Sequence, residues 1–231
     1  GYIVWWDLVG ALKNIRRQGM KCFANLTLHS KIALSVTGIL ILAGTVAIFV
    51  FEYNNPLTIG SFSLFEKLQA SLFQSVTTRT AGFATIPQEN LTNASAIASL
   101  LLMFIGGSPV GTAGGIKTVT FAVLITSAFA TMKTHAEVEL FHRTISKHAV
   151  SKAVAVVSMA FIILFTATIL LSAVTDADAL DIVFETVSAA ATVGLTRSLT
   201  SELNLWGRII IIITMYLGRV GPISLMIALN T

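Results

Sequence analysis

The chain has 231 residues, 55% of them hydrophobic and only 11% charged, about half the charged share of a soluble domain. Fifteen basic residues stand against eleven acidic ones, and Cys22 is the single cysteine, which excludes a disulfide framework. No paired carboxylates, metal-spaced His/Cys set or nucleophile–base constellation marks an enzyme, and the expected class is an all-α membrane protein.

The opening "GYIVWWDLVG" reads as a helix cut at its cytoplasmic end, without a signal-peptide pattern. Residues 1–30 are expected to hold the end of a preceding unit and a cytoplasmic linker. Lys31 to Tyr53 is an apolar run long enough to cross a bilayer, which takes about 20 helical residues. A mixed loop carrying Glu52, Glu66 and Glu89 follows, with a short amphipathic helix from Ser63 to Thr77. That helix leads into "SVTTRTAGFATIP". The segment from Asn93 to Met132 is apolar at both ends, with a glycine-rich middle.

Residues 133–148 form a basic connection in which His135, His142 and His148 read as solvated loop residues rather than metal ligands. Ala149 to Val174 is a second long span. After Asp176, Asp178 and Asp181 comes another short helix, Asp178 to Ala190, and then "TVSAAATVGLTRSLT". Leu203 to Leu229 is the last apolar run, interrupted by "GRVGP". The abrupt close, like the opening, suggests a fragment.

Charge predicts the orientation. Lys13, Arg16, Arg17, Lys21 and Lys31 precede the first span, and Lys133, Arg143, Lys147 and Lys152 lie between the glycine-rich segment and the second long span. These are nine of the fifteen basic residues, so both segments should be cytoplasmic and the acidic loops should face outward. The basic excess therefore reads as topology, not as nucleic-acid binding.

A shift of 112 lays Thr80-Ala81-Gly82-Phe83 on Thr192-Val193-Gly194-Leu195 and Met103-Phe104-Ile105-Gly106 on Met215-Tyr216-Leu217-Gly218. Upstream, "LFQSV" (Leu72 to Val76) matches "VFETV" (Val183 to Val187) after a one-residue gap. Two parallel units, 31–132 and 149–231, thus repeat the order span, outer loop, short helix, Thr-x-Gly turn, span. The short helices are too short to span and read as re-entrant. Irregular backbone at membrane depth is tolerated only when buried in protein or lining water. Carbonyls of such a turn can replace the hydration shell of a cation, and the half-helix C-terminus adds partial negative charge. Two ordinary outer loops are the plainer alternative. Hairpins of a secondary carrier usually come as inverted repeats.

These residues resemble the Trk/Ktr/HKT superfamily of potassium transporters. "SVTTRTAGF" is similar to its third pore loop and "SAAATVGL" to its fourth, "GYIVWWDL" to the tail of its second repeat and "LTLHSKIAL" to the lead into its third. The "TVGL" form is most similar to the Ktr-type membrane subunit. Tandem-pore potassium channels compete, but their filters carry a second glycine where Ala84 and Thr196 stand here.

The resemblance implies tandem helix–pore loop–helix repeats as in potassium channels, with potassium taken up down its electrochemical gradient. Thr80, Ala81, Gly82 and Phe83 with Thr192, Val193, Gly194 and Leu195 would form half of a four-part filter that binds K+. It also implies a gate in "FIGGSPVGTAGGIKT", where five glycines and Pro109 break the helix. Its residues are Gly106, Gly107, Ser108, Pro109, Gly111, Thr112, Ala113, Gly114 and Gly115. Ile116 spoils the match to a nucleotide-binding G-x-x-x-x-G-K-[ST] loop, and a kinked packing helix is the structural alternative. Arg219, costly inside a span, would lie beside this gate; an ion pair or snorkelling to the cytoplasm is its plainer role.

Arg79 is expected to brace the turn through pore-helix carbonyls, and Glu185 is a possible partner for it. No cofactor is expected in this chain, sodium remains open as an activating or co-transported ion, and a nucleotide is expected on a separate subunit. Implied partners are the missing N-terminal repeats, a second copy in a homodimer, a cytosolic nucleotide-binding regulatory ring and membrane lipid. The implied place is the plasma membrane, multi-pass, in bacteria the inner membrane. A homodimeric two-repeat channel and a coupled secondary carrier are the alternative functions.

Overall fold

The structure, a computed structural model, describes residues 2–18, 26–108, 113–133, 138–141 and 143–220. Helix α1 spans Tyr2–Gln18 and α2 Leu28–Glu52; short α3 spans Leu64–Thr77, α4 Asn93–Phe104 and α5 Thr118–Met132. A two-stranded antiparallel hairpin follows, β1 Val138–Leu140 and β2 Arg143–Ile145, with Val138 opposite Ile145. Helices α6 Lys147–Ser172, α7 Ala179–Ala190, α8 Leu199–Glu202 and α9 Leu205–Val220 complete the chain. The hairpin stands where the sequence reads as a plain connection. The end of the last apolar run, residues 221–231, lies outside the described residues, as do Cys22, His135 and His142.

Side-chain caps start several of these helices. Thr27, Thr92 and Ser146 each accept a backbone N–H from three residues ahead, at the heads of α2, α4 and α6. Ser63 and Glu66 form a reciprocal capping box at the head of α3. Helices α2 and α6 are long and apolar enough to cross a membrane. Only 17% and 11% of their most apolar windows are buried within the chain, so neither is the enclosed core helix of a soluble fold.

The first short helix leans on the long span beside it. Gly44 of α2 lets Ser75 and Leu102 approach so closely that a Cβ there would collide with both. The second short helix is the most enclosed element. Phe184, Val187, Ala191, Val193 and Leu195 form one core with Met103 of the first unit. A second core, including Leu171, Ile182, Ala189, Leu203 and Ile211, binds α7 to α6 and α9. By contrast α3 leaves Leu64, Phe65, Leu68, Leu72 and Phe73 exposed.

Candidate functional site

Both Thr-x-Gly turns adopt the same unusual backbone. Thr80 (φ 71°) and Gly82 (φ 78°) are left-handed, as are Thr192 (φ 53°) and Gly194 (φ 94°), while Ala81 and Val193 between them are not. Glycine accepts this conformation freely. For β-branched threonine it is an outlier, worth roughly 1–3 kcal/mol of strain and found where surrounding structure over-determines the backbone.

The determination comes from the helix ends. The N–H groups of Ala81 and Gly82 donate back to the Thr77 carbonyl, and that of Val193 to the Ser188 carbonyl. The Thr77 hydroxyl accepts from Phe83 N–H at 2.8 Å and donates to its carbonyl at 2.7 Å. Ser188 accepts from Gly194 N–H at 3.2 Å. The extra residue in the second turn thus moves the hydroxyl clamp one position, from after the glycine to the glycine itself. With these N–H groups turned inward, the carbonyls of Thr80, Ala81, Gly82, Thr192, Val193 and Gly194 accept no hydrogen bond among the described residues. Unused carbonyls in a compact turn call for another partner.

The two turns meet. A Cβ on Gly82 would strike the carbonyl oxygen of Val193, so only glycine permits this approach. A Cβ on Gly194 would meet nothing within 4 Å, and this side carries a cavity of about 370 Å³ lined by Glu185, Ser188, Thr192, Thr196 and Thr200. Phe83 is 71% exposed, whereas Leu195, its counterpart, is 3% exposed in the shared core.

Behind each turn a side-chain latch ties the short helix to the strand of chain leaving the turn. In the first, Gln74 and Gln88 exchange amide hydrogen bonds, the shorter 2.6 Å, both side chains being buried. In the second, Glu185 occupies the place of Gln74 and accepts from the hydroxyls of Thr196, at 2.8 Å, and Thr200. The expected pairing of Glu185 with Arg79 therefore does not form, because two hydroxyls already hold the carboxylate.

Arg79 also differs from expectation. The last carbonyls of α3, those of Gln74, Val76 and Thr77, are taken by N–H groups of the turn itself. Its guanidinium instead reaches Thr37 of α2, at 3.3 Å, and Gly106, at 3.0 Å.

Sequence reading missed Arg197. Its Nε pairs with Asp181 at 2.6 Å and its Nη1 donates to the Gln88 carbonyl at 3.0 Å, joining the second unit to the first. Its position two residues past the turn was the available signal.

The glycine segment begins where α4 stops at Phe104. Ile116 N–H donates to the Phe104 carbonyl at 3.0 Å and Thr118 N–H to that of Gly107 at 3.3 Å, closing the excursion at its neck. Gly106 lies against Gly114, and Gly107 against Ala113. Gly114 in turn lies against the Ala191 carbonyl and the Thr192 hydroxyl of the second turn; a Cβ at any of these glycines would collide. Gly115 is left-handed at φ 66°, and Ser108 follows Gly107 along the half-buried rim. Pro109, Gly111 and Thr112 lie outside the described residues. Lys117 donates to the Ala113 carbonyl and feels the charge of Arg219. Arg219 lies in the last turn of α9. Among the described residues no three His, Cys, Asp or Glu side chains are grouped to hold a metal.

The TrkH family, described as cation transport proteins, matches residues 8–230. The chain is 40% identical over 224 residues to the Ktr system potassium uptake protein B of Bacillus subtilis (strain 168), covering 97% of this chain and 48% of that protein. It is 36% identical over 233 residues to the potassium/sodium uptake protein NtpJ of Enterococcus hirae, covering 99% and 49%. The crystal structure of the potassium transporter TrkH from Vibrio parahaemolyticus is similar in fold, with a TM-score of 0.75 at 18% identity over 98% of this chain and 50% of that one. The chain spans about half the length of the relatives it matches. With the family matched over nearly its whole length, this chain belongs to the TrkH family of membrane cation transport proteins.

Proposed function

We propose that this chain is the third and fourth pore units, residues 31–132 and 149–231, of a potassium uptake protein of the Ktr type. The observation that carries the reading is the doubled turn. Two half-helices end in the same Thr-x-Gly backbone, with the N–H groups turned inward and the carbonyls unused. Carbonyls so arranged replace the water shell of a potassium ion, and the C-terminal dipole of each half-helix lowers its energy there. Thr80 to Phe83 and Thr192 to Leu195 supply half of the filter, and two further units close it. The names of the relatives, potassium uptake proteins, support the choice of ion.

The glycine segment, whose neck at Gly106 and Gly114 lies against the two turns, acts as the gate, with Arg219 opposing cation passage when it is closed. Inward movement is driven by the membrane potential, about 2.3 kcal/mol per charge per 100 mV. Sodium, named with potassium for the Enterococcus hirae relative, is the ion to test as activator or co-transported partner. Assembly as a homodimer in the bacterial inner membrane, on a cytosolic nucleotide-binding ring, completes the proposal.

Rubidium uptake in potassium-uptake-deficient bacteria tests it, using the full-length protein with its candidate regulatory subunit, with and without Gly194→Ser. Rescue by the wild type and lost or less selective uptake by the variant are the expected results. Well-expressed protein without uptake, or a variant indistinguishable from wild type, contradicts the reading. Single-channel steps against saturable, gradient-coupled flux separate this pathway from a carrier.

A further inference from the structure

Arg79 has no counterpart in the second unit, where Ala190 and Ala191 end the short helix. There α9 runs unbroken past Gly218, which packs directly on the Ala190 carbonyl. In the first unit α4 has already stopped, and Gly106, the residue matching Gly218, opens the glycine segment. In a continuous helix the Gly106 carbonyl would accept from residue 110. Freed at membrane depth, it needs another donor.

Arg79 provides that donor. One guanidinium nitrogen donates to Gly106 at 3.0 Å and the other to Thr37 of the long span at 3.3 Å. Among the described residues no carboxylate pairs with it, so its hold rests on these two carbonyls. The side chain springs from the residue before Thr80, the first left-handed position of the turn. On the far side of the neck, Gly114 rests on Ala191 and Thr192. The neck is thus slung between the two turns, by a guanidinium on one side and by direct contact on the other.

We propose that Arg79 is a positioning residue that pins the neck of the glycine segment to the first pore turn. The segment then cannot swing without releasing Gly106 or pulling on Thr80. The proposal rests on the reading of that segment as the gate.

The test uses the full-length protein in proteoliposomes, free of other cysteines, with the thiol-modification rate of S108C as readout beside rubidium flux. S99C, fully buried on α4, reports any general loosening. R79Q and R79M remove the donors, and R79K keeps a charge that cannot span both carbonyls. Losing a charged hydrogen bond should speed modification of S108C by about tenfold in R79Q and R79M, and less in R79K, while S99C stays protected. Wild-type S108C rates in folded R79Q or R79M overturn the proposal, as does equal acceleration at S99C. Absence of rubidium flux in the wild type contradicts the transport reading instead, and the S108C rates still decide the pin.

Discussion

Behind the first Thr-x-Gly turn two neutral amides, Gln74 and Gln88, hold each other; behind the second, the same two places carry Glu185 and Thr200. The first turn leaves Phe83 bare, whereas the second buries Leu195 against Met103 of the neighbouring unit. Yet the backbones agree, down to a strained threonine at the same place in each. The shared feature is therefore the conformation, and each unit reaches it with different side chains. That is the pattern expected when the carbonyls are what must be kept. The units also differ in enclosure: the second packs on Met103 of the first, while α3 of the first leaves Leu64, Phe65, Leu68 and Leu72 exposed.

The strongest way to break the equivalence is at the glycines. Gly82→Ala drives a methyl into the Val193 carbonyl and imposes a left-handed φ, so uptake should vanish and thermal stability fall sharply. Gly194→Ala meets nothing within 4 Å in this chain and bears only the conformational penalty, roughly 1–2 kcal/mol. It should keep measurable, less selective uptake. Equal damage at both sites in the full-length protein would show that another segment closes on Gly194.

The latches come next. Glu185→Ala leaves the Thr196 hydroxyl without its carboxylate and should lower stability by about 1–3 kcal/mol, while Glu185→Gln, able to accept one of the two bonds, should lose less. Gln74→Leu removes a neutral pair and should be milder than Glu185→Ala. Thermal unfolding in detergent orders the three. A milder Glu185→Ala would mean that the charged latch contributes no more than the amide one.

Across the units, Arg197→Met and Asp181→Asn should show a coupling of about 1 kcal/mol in a double-mutant cycle, since the pair is only partly buried. Additive effects would reduce the bridge to its carbonyl contacts.

The smallest expected effect lies at the outer ends of the short helices. Ser63→Ala breaks a capping box and should destabilise by about 1 kcal/mol. Asp178→Ala should do less, because Asp178 makes no side-chain cap bond. The Ser63 backbone N–H, and then its hydroxyl, hold the Glu66 carboxyl below its ordinary value near 4.5. A lowered folded-state value stabilises above that ordinary value and is lost as pH falls through the folded one. The stability gap between wild type and Glu66→Gln should therefore be open at neutral pH and close in acid.

Much of this was legible in the residues. Apolar run lengths marked the spans, Ser63 and Asp178 marked the heads of the short helices, and the 112-residue shift aligned the turns. The left-handed threonines were not legible, because β-branched residues disfavour that conformation and only the surrounding hydrogen bonds impose it. The targets of Arg79, 42 and 27 residues away, and the reach of Arg197 to Gln88 depend on packing between elements, which local pattern does not encode. The hairpin at Val138–Leu140 and Arg143–Ile145 was hidden because each strand is only three residues long.

Anomalous diffraction from rubidium-soaked crystals of the full-length protein tests the central claim most directly. The account predicts rubidium peaks coordinated by the carbonyls of Thr80 to Gly82 and Thr192 to Gly194 together. Rubidium bound elsewhere in a transport-competent protein, with both sets of carbonyls empty, would contradict it.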